Sequence, residues 1–94
     1  MVKMTRKRDR LEVIYNILKT IQNYNNSIKP TPLLRYSNLS SQSFSEYFKE
    51  LFEKGFIKEL LDKKGRKAIT LTDKGFKFLE KYKMILGFIE EFEL

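Results

Sequence analysis

Ser40 and Gly55 bracket the segment that most constrains how this chain can fold. Ser40 is placed to accept one of the orphaned backbone N–H groups that open a helix. Gly55 stands where a left-handed residue would end it. Between them Phe44, Phe48 and Leu51 recur at i, i+4 and i+7, with Tyr47 beside them, so one stripe faces a core. At about 100° per residue, Gln42, Ser45, Glu46, Lys49 and Glu53 fall on the opposite side, with Ser41 on its flank. Apart from the two glutamates, that outer face is short, polar and able to hydrogen-bond, as a helix lying in a groove requires. A strand-like run, Phe56 to Leu61, follows at once.

Upstream of this segment, Thr31-Pro32 predicts a helix start, with Thr31 as cap and Pro32 at the first helical position. Lys29 must be extended or turned, because Pro30 disfavours helical geometry at the residue before it. Leu33, Leu34 and Tyr36 supply an apolar side, and Ser37-Asn38 cuts the helix short; Asn38 tolerates the left-handed conformation of a tight turn. A short helix, a tight turn carrying Leu39 and a longer helix make a helix-turn-helix pattern. Arg35, near the end of the supporting helix, is within reach of a backbone phosphate. Further upstream, Leu11, Ile14, Tyr15, Leu18 and Ile21 predict an amphipathic helix of about four turns, widened by Val13 and Ile17. The polar stretch Gln22–Ser27 breaks its period. Ile28 is positioned to add a short strand to a later hairpin.

That hairpin is read from Phe56–Leu61 and Lys67–Leu71, with Gly65 supplying positive φ in the loop. Lys63, Lys64, Arg66 and Lys67 crowd the tip. Four cations on a tight loop repel one another and contribute nothing to folding, but they suit a phosphate clamp or a minor-groove probe. A bland alternative is an edge hairpin kept from aggregating by its lysines. Beyond it, Thr72 caps a last helix with Asp73 in the dipole-favoured first turn. Phe78, Tyr82, Ile85, Ile89 and Phe92 recur at spacings of 4, 3, 4 and 3, a heptad seam. Phe76, Leu79, Met84, Leu86 and Phe88 widen the apolar surface beyond what one intramolecular contact needs, and the excess predicts a homodimer interface. An intramolecular cap over the first helix is the competing reading. Gly87 either allows close helix approach or ends the helix.

Composition narrows the function classes. The chain has 94 residues, 41% of them hydrophobic and 14% aromatic, enough for a real core. Cys and His are both absent, which removes disulfides, thiol nucleophiles, imidazole catalysis and the usual zinc sites. No paired acids, Gly-rich phosphate loop or nucleophile–base set appears, so an enzyme is not expected, nor a cofactor, a metal or a small-molecule ligand. No stretch approaches the roughly 20 apolar residues of a membrane span. Net charge is +7, with the excess in residues 1–35 and the opposite sign at Glu90, Glu91 and Glu93. A basic domain with an acidic end points to a polyanion. For the basic stretch Met1–Arg10 two readings stand, an arm along DNA or a solvated terminus.

The series Lys29-Pro-Thr-Pro-Leu-Leu34, Asn38-Leu-Ser40, Tyr47-Phe-Lys-Glu-Leu51, Lys54-Gly-Phe-Ile57 and Leu71-Thr-Asp-Lys-Gly75 resembles the winged helix-turn-helix regulators. More narrowly, it is similar to the small archaeal winged-helix proteins exemplified by the ten-kilodalton chromatin proteins. The resemblance implies a mainly α fold with a small β-hairpin (α+β): a basic arm over 1–8, a winged helix-turn-helix domain over 9–72 and a dimerisation helix over 73–94. It also implies double-stranded DNA as partner, a homodimer through a C-terminal coiled coil, and a cytoplasmic, nucleoid-associated place in the cell. Recognition-helix contacts carry over to Ser41, Gln42, Ser45 and Lys49, and wing contacts to Lys63, Lys64, Arg66 and Lys67. Glu46 and Glu53 on the outer face depart from the pattern, since carboxylates repel phosphates; Glu46 can instead accept from a cytosine amino group. Transcriptional regulation, chromatin-like packaging and protein interaction within a larger assembly are the functions this leaves open.

Overall fold

The computed structural model describes residues 6–94, with side chains from residue 10 onward. Residues 1–5 of the expected basic arm therefore lie outside the described residues. The element order is α1 (Arg6–Asn23), α2 (Pro30–Ser37), α3 (Ser41–Glu53), β1 (Ile57–Leu61), β2 (Lys67–Leu71) and α4 (Asp73–Glu91). This is the mainly helical arrangement with one hairpin that the sequence predicts. α1 opens at Arg6, inside the stretch read as an arm over 1–8.

Ile14, Ile17, Leu18 and Ile21 bury one side of α1 against Leu33 of α2, Phe44 and Leu51 of α3, Ile57, Ile69 and Leu71 of the hairpin, and Leu79 of α4. Burying a side chain of this size stabilises by about 1.5–3 kcal/mol. Leu11, read as part of the stripe, sits exposed at its edge. α1 gives way to a turn in which both Asn25 and Asn26 take positive φ, 58° and 59°, a conformation asparagine tolerates. The carboxamide oxygen of Asn26 then accepts from the Leu71 N–H at 2.6 Å, locking the turn to the end of β2.

The hairpin is antiparallel, with Ile57 opposite Leu71 and Leu61 opposite Lys67. Ile28 bridges to Ile69 on the far edge of β2, as expected. β2 is thus covered on both edges, and its last four residues are buried.

The start of α2 differs from the expectation. Pro30, not Pro32, occupies the first turn's opening position, and Lys29, with φ −80° and ψ 154°, is the N-cap without a side-chain hydrogen bond. Thr31 therefore caps nothing. Each proline suits the first helical position equally; Pro30 forces Lys29 extended, and the helix begins as soon as it can.

Candidate nucleic-acid interface

α3 is built as its sequence indicates. The Ser40 hydroxyl accepts from the Ser43 N–H at 3.1 Å, satisfying one orphaned donor. Asn38, at φ 61°, makes the turn between α2 and α3. Gly55, at φ +78°, lets the chain leave α3 and enter β1. Phe44 and Leu51 are buried, and Phe44, Phe48 and Phe52 pack in a row with ring centroids 4.9 Å apart at each step. The opposite face presents Ser41, Gln42, Ser45, Glu46, Lys49 and Glu53, every one exposed. Arg35, in the last turn of α2, is exposed as well.

The wing tip carries Lys63, Lys64, Arg66 and Lys67, all exposed, around Gly65 at φ +79°. What sets its shape is Asp62. One carboxylate oxygen accepts from the backbone N–H groups of Lys64 and Arg66, at 2.9 and 2.8 Å. The other accepts from Lys29 Nζ at 2.8 Å and Arg66 Nε at 3.3 Å. The tip's single carboxylate is turned onto the loop backbone, leaving the lysines directed outward. The Lys29 ammonium first, and then the N–H donors of Arg66 and Lys64, hold the Asp62 carboxyl far below its ordinary value of 3.8.

A depressed folded-state value means that this stabilisation is present in full above about pH 4 and is lost as acid drives the pH down through the folded value. Asp62→Asn keeps an oxygen for the two backbone donors but loses the attraction of Lys29; Asp62→Ala loses both. Thermal melts at neutral pH should therefore rank wild type above D62N, and D62N above D62A. Equal melting temperatures and equal protease resistance of the wing across the three would remove the latch.

A second long-range tie reaches α3. Arg10 of α1 forms a two-pronged pair with Glu50, Nη1 donating to Oε1 at 2.9 Å and Nη2 to Oε2. Lys54 shares Oε2 at 2.7 Å. Lys54 and then Arg10 hold the Glu50 carboxyl below the usual range. The sequence reading missed Asp62, Asn26 and this fork. Asp62 had a local signal, an Asp two residues ahead of a backbone donor in a turn. The fork had none, because its partners stand 40 residues apart.

The expected seam on α4 is placed unevenly. Phe78 and Tyr82 are half-buried within the chain: Tyr82 packs on Tyr15 at 4.8 Å between ring centroids, and Phe78 meets Phe56 edge-on at 5.6 Å. Ile85 and Phe92 are more than half exposed, and Ile89 is intermediate. α4 runs unbroken through Gly87, where an added methyl group would meet no other part of the chain within 4 Å. Among the described residues no helix is long and apolar enough to cross a membrane, and no cluster of metal-ligating side chains occurs.

Comparison with known proteins agrees with this geometry. An uncharacterized protein of Methanocaldococcus jannaschii is 32% identical over 83 residues, which are 88% of this chain and 36% of that protein. The chain thus spans little more than a third of that relative's length. Among solved structures, the PcaV transcriptional regulator from Streptomyces coelicolor matches with a TM-score of 0.70 at 16% identity, over 84% of this chain and 59% of its own. Sso10a-2, a DNA-binding protein from Sulfolobus solfataricus, matches with a TM-score of 0.68 at 17% identity, over 88% and 83%. At such identities the likeness is one of fold. The model of the winged helix-turn-helix family matches residues 7–90, and the chain belongs to that family.

Proposed function

We propose that this protein binds double-stranded DNA as a dimer and acts as a transcriptional regulator. In this reading residues 9–72 are the DNA-binding unit and 73–94 pair two copies. α3 enters the major groove with Ser41, Gln42, Ser45 and Lys49 towards the bases, while Arg35 meets a phosphate. Lys63, Lys64, Arg66 and Lys67 grip backbone or minor groove at the side. The observation that carries the reading is the wing tip: Asp62, the one acid of residues 62–67, is latched onto the loop backbone while Lys63, Lys64 and Lys67 are exposed. Such an arrangement stabilises a loop and leaves positive charge for an outside partner. Sso10a-2 is a DNA-binding protein and PcaV a transcriptional regulator, and both properties come to this chain as part of the proposal. So does a nucleoid-associated place in the cytoplasm.

The pairing part rests on the outer half of α4, where Met84, Ile85, Leu86, Phe88 and Phe92 are all exposed. Packaging without sequence preference is the second reading, favoured by an outer face of α3 that has few side chains able to make two-pronged base contacts. Selection of bound fragments from random duplex DNA separates the two: an enriched palindrome marks a regulator, and tight binding without enrichment marks packaging. In the same assay affinity should fall steeply with salt, log K dropping by about 0.9 per phosphate contacted for each tenfold rise. A flat salt response would end both readings.

A further inference from the structure

Of the five residues of β1 only Ile57 is buried, and the strand ends in two adjacent leucines that the core does not use. Leu60 is 48% exposed and Leu61 69%. Alternation puts them on opposite faces of the hairpin. Leu60 stands across from Ala68, and Leu61 across from Lys67. Leu61 therefore shares the face that carries Ile57, Ile69 and Leu71 into the core, but lies beyond the core's edge. A lone exposed leucine is ordinary on a protein surface. This one is set at the foot of a tight loop beside Lys63, Lys64, Arg66 and Lys67, all exposed, and the fold leaves most of it uncovered.

The charges around Leu61 narrow what covers it. Asp62, next in sequence, is turned onto the backbone N–H groups of Lys64 and Arg66 and onto Lys29. Glu59, the neighbouring residue on the same face, stands about 7 Å further down the stem. An apolar side chain ringed by cations fits a partner whose anions border an apolar interior. Duplex DNA has that form: phosphates line each groove, and the stacked bases lie between them. An anionic lipid surface has it too, but one leucine buries far less than a single acyl chain, which by itself anchors only marginally. The exposed polar face of α3 also suits a groove and not a lipid surface.

We propose that Leu61 is a wedge: with the wing's cations on the phosphates, it enters the minor groove and pries apart one base step, kinking the duplex. This rests on the duplex-binding part of the proposed function and adds an activity to it, DNA bending. Unstacking a step costs energy that the added backbone contacts offset, and pyrimidine–purine steps yield most readily. The wing thereby favours deformable steps without a hydrogen bond to any base, a selectivity that does not depend on the side chains of α3.

End-to-end energy transfer across duplexes of about 30 base pairs, carrying TA steps at the centre and saturated with the full chain, reads the kink. Wild type should bend the duplex by roughly 20–90°, and less where GC steps replace TA. Leu61→Ala should lose most of the bend, while affinity changes by less than about tenfold and the salt slope stays at the wild-type value, because no charge is removed. Leu61→Phe should keep the bend, and Leu60→Ala, on the opposite face, should bend as wild type does. Both leucines are exposed, so circular dichroism should show unchanged folding in all three variants. A wild-type complex without a bend, or L61A bending as wild type does, overturns the wedge and leaves duplex binding standing. A wild-type chain that binds no duplex overturns both, and Leu61-dependent binding to phosphatidylserine vesicles in its place would assign the leucine to a lipid surface.

Discussion

Alanine at Lys63, Lys64, Arg66 and Lys67 together will weaken duplex binding by on the order of a hundred- to a thousandfold at about 0.15 M salt. The magnitude follows from counterion release. Each phosphate neutralised contributes about 0.9 to the salt exponent, which at that ionic strength is roughly fivefold in affinity. Three to four such contacts multiply to the stated range, the lower end applying because Arg66 shares its Nε with Asp62. The slope of log K against log salt should shrink by about three to four as the cations go. Folding should not suffer, since the four side chains are exposed and Asp62 still accepts from the backbone of 64 and 66. Removing mutually repelling charges should leave the melting temperature unchanged or slightly raised. By contrast Gln42→Ala with Ser45→Ala removes no charge, and should alter sequence preference more than the salt slope. If the four-alanine chain binds as tightly as wild type with the same slope, the wing does not touch DNA.

Much of this candidate interface is legible from residues alone because its signals are local. Ser40, Asn38, Gly55 and Gly65 each mark a backbone conformation fixed within a few residues, and the structure places all four in the expected roles. Ile28 is legible as a strand because an isolated apolar residue between turns has little else to do. What the sequence hides is long-range. Asp62 reads as an ordinary turn residue until Lys29, 33 residues earlier, is seen to reach it. The heptad on α4 is visible, but two lines share that helix. Only the position of Tyr15 shows which line the chain itself uses. Thr31 fails as a cap because two prolines two residues apart offer two equally good starts, and local rules cannot choose between them.

Alanine at Gly75 will lower stability by roughly 2 kcal/mol, whereas alanine at Gly87, in the same helix, will raise it by about 1 kcal/mol. Both glycines lie in α4, where alanine has the better intrinsic helix propensity by about 1 kcal/mol. The difference lies in what a methyl group would meet. At Gly75 it would stand 2.4 Å from the carbonyl oxygen of Phe56 and 3.3 Å from Leu71 Cδ2. The oxygen belongs to backbone that cannot swing aside, because it accepts from the Thr72 N–H at 3.1 Å, and Thr72 Oγ1 in turn donates to the Gly55 carbonyl. Relief therefore requires α4 to lift away from the base of the hairpin, loosening the Thr72 cap on the Gly75 N–H as it goes. Overpacking costs about 1–3 kcal/mol, and a methyl pressed onto fixed backbone falls at the upper end, about 3 kcal/mol, which less the propensity gain of about 1 kcal/mol leaves a loss of roughly 2 kcal/mol. At Gly87 nothing lies within 4 Å, so the propensity gain stands alone. For a domain of this size the melting temperature should fall by about 8–16 °C for G75A and rise by about 4–8 °C for G87A. Two shifts of the same sign would show that the close approach of α4 to the hairpin at Phe56 is not what holds the last helix in place.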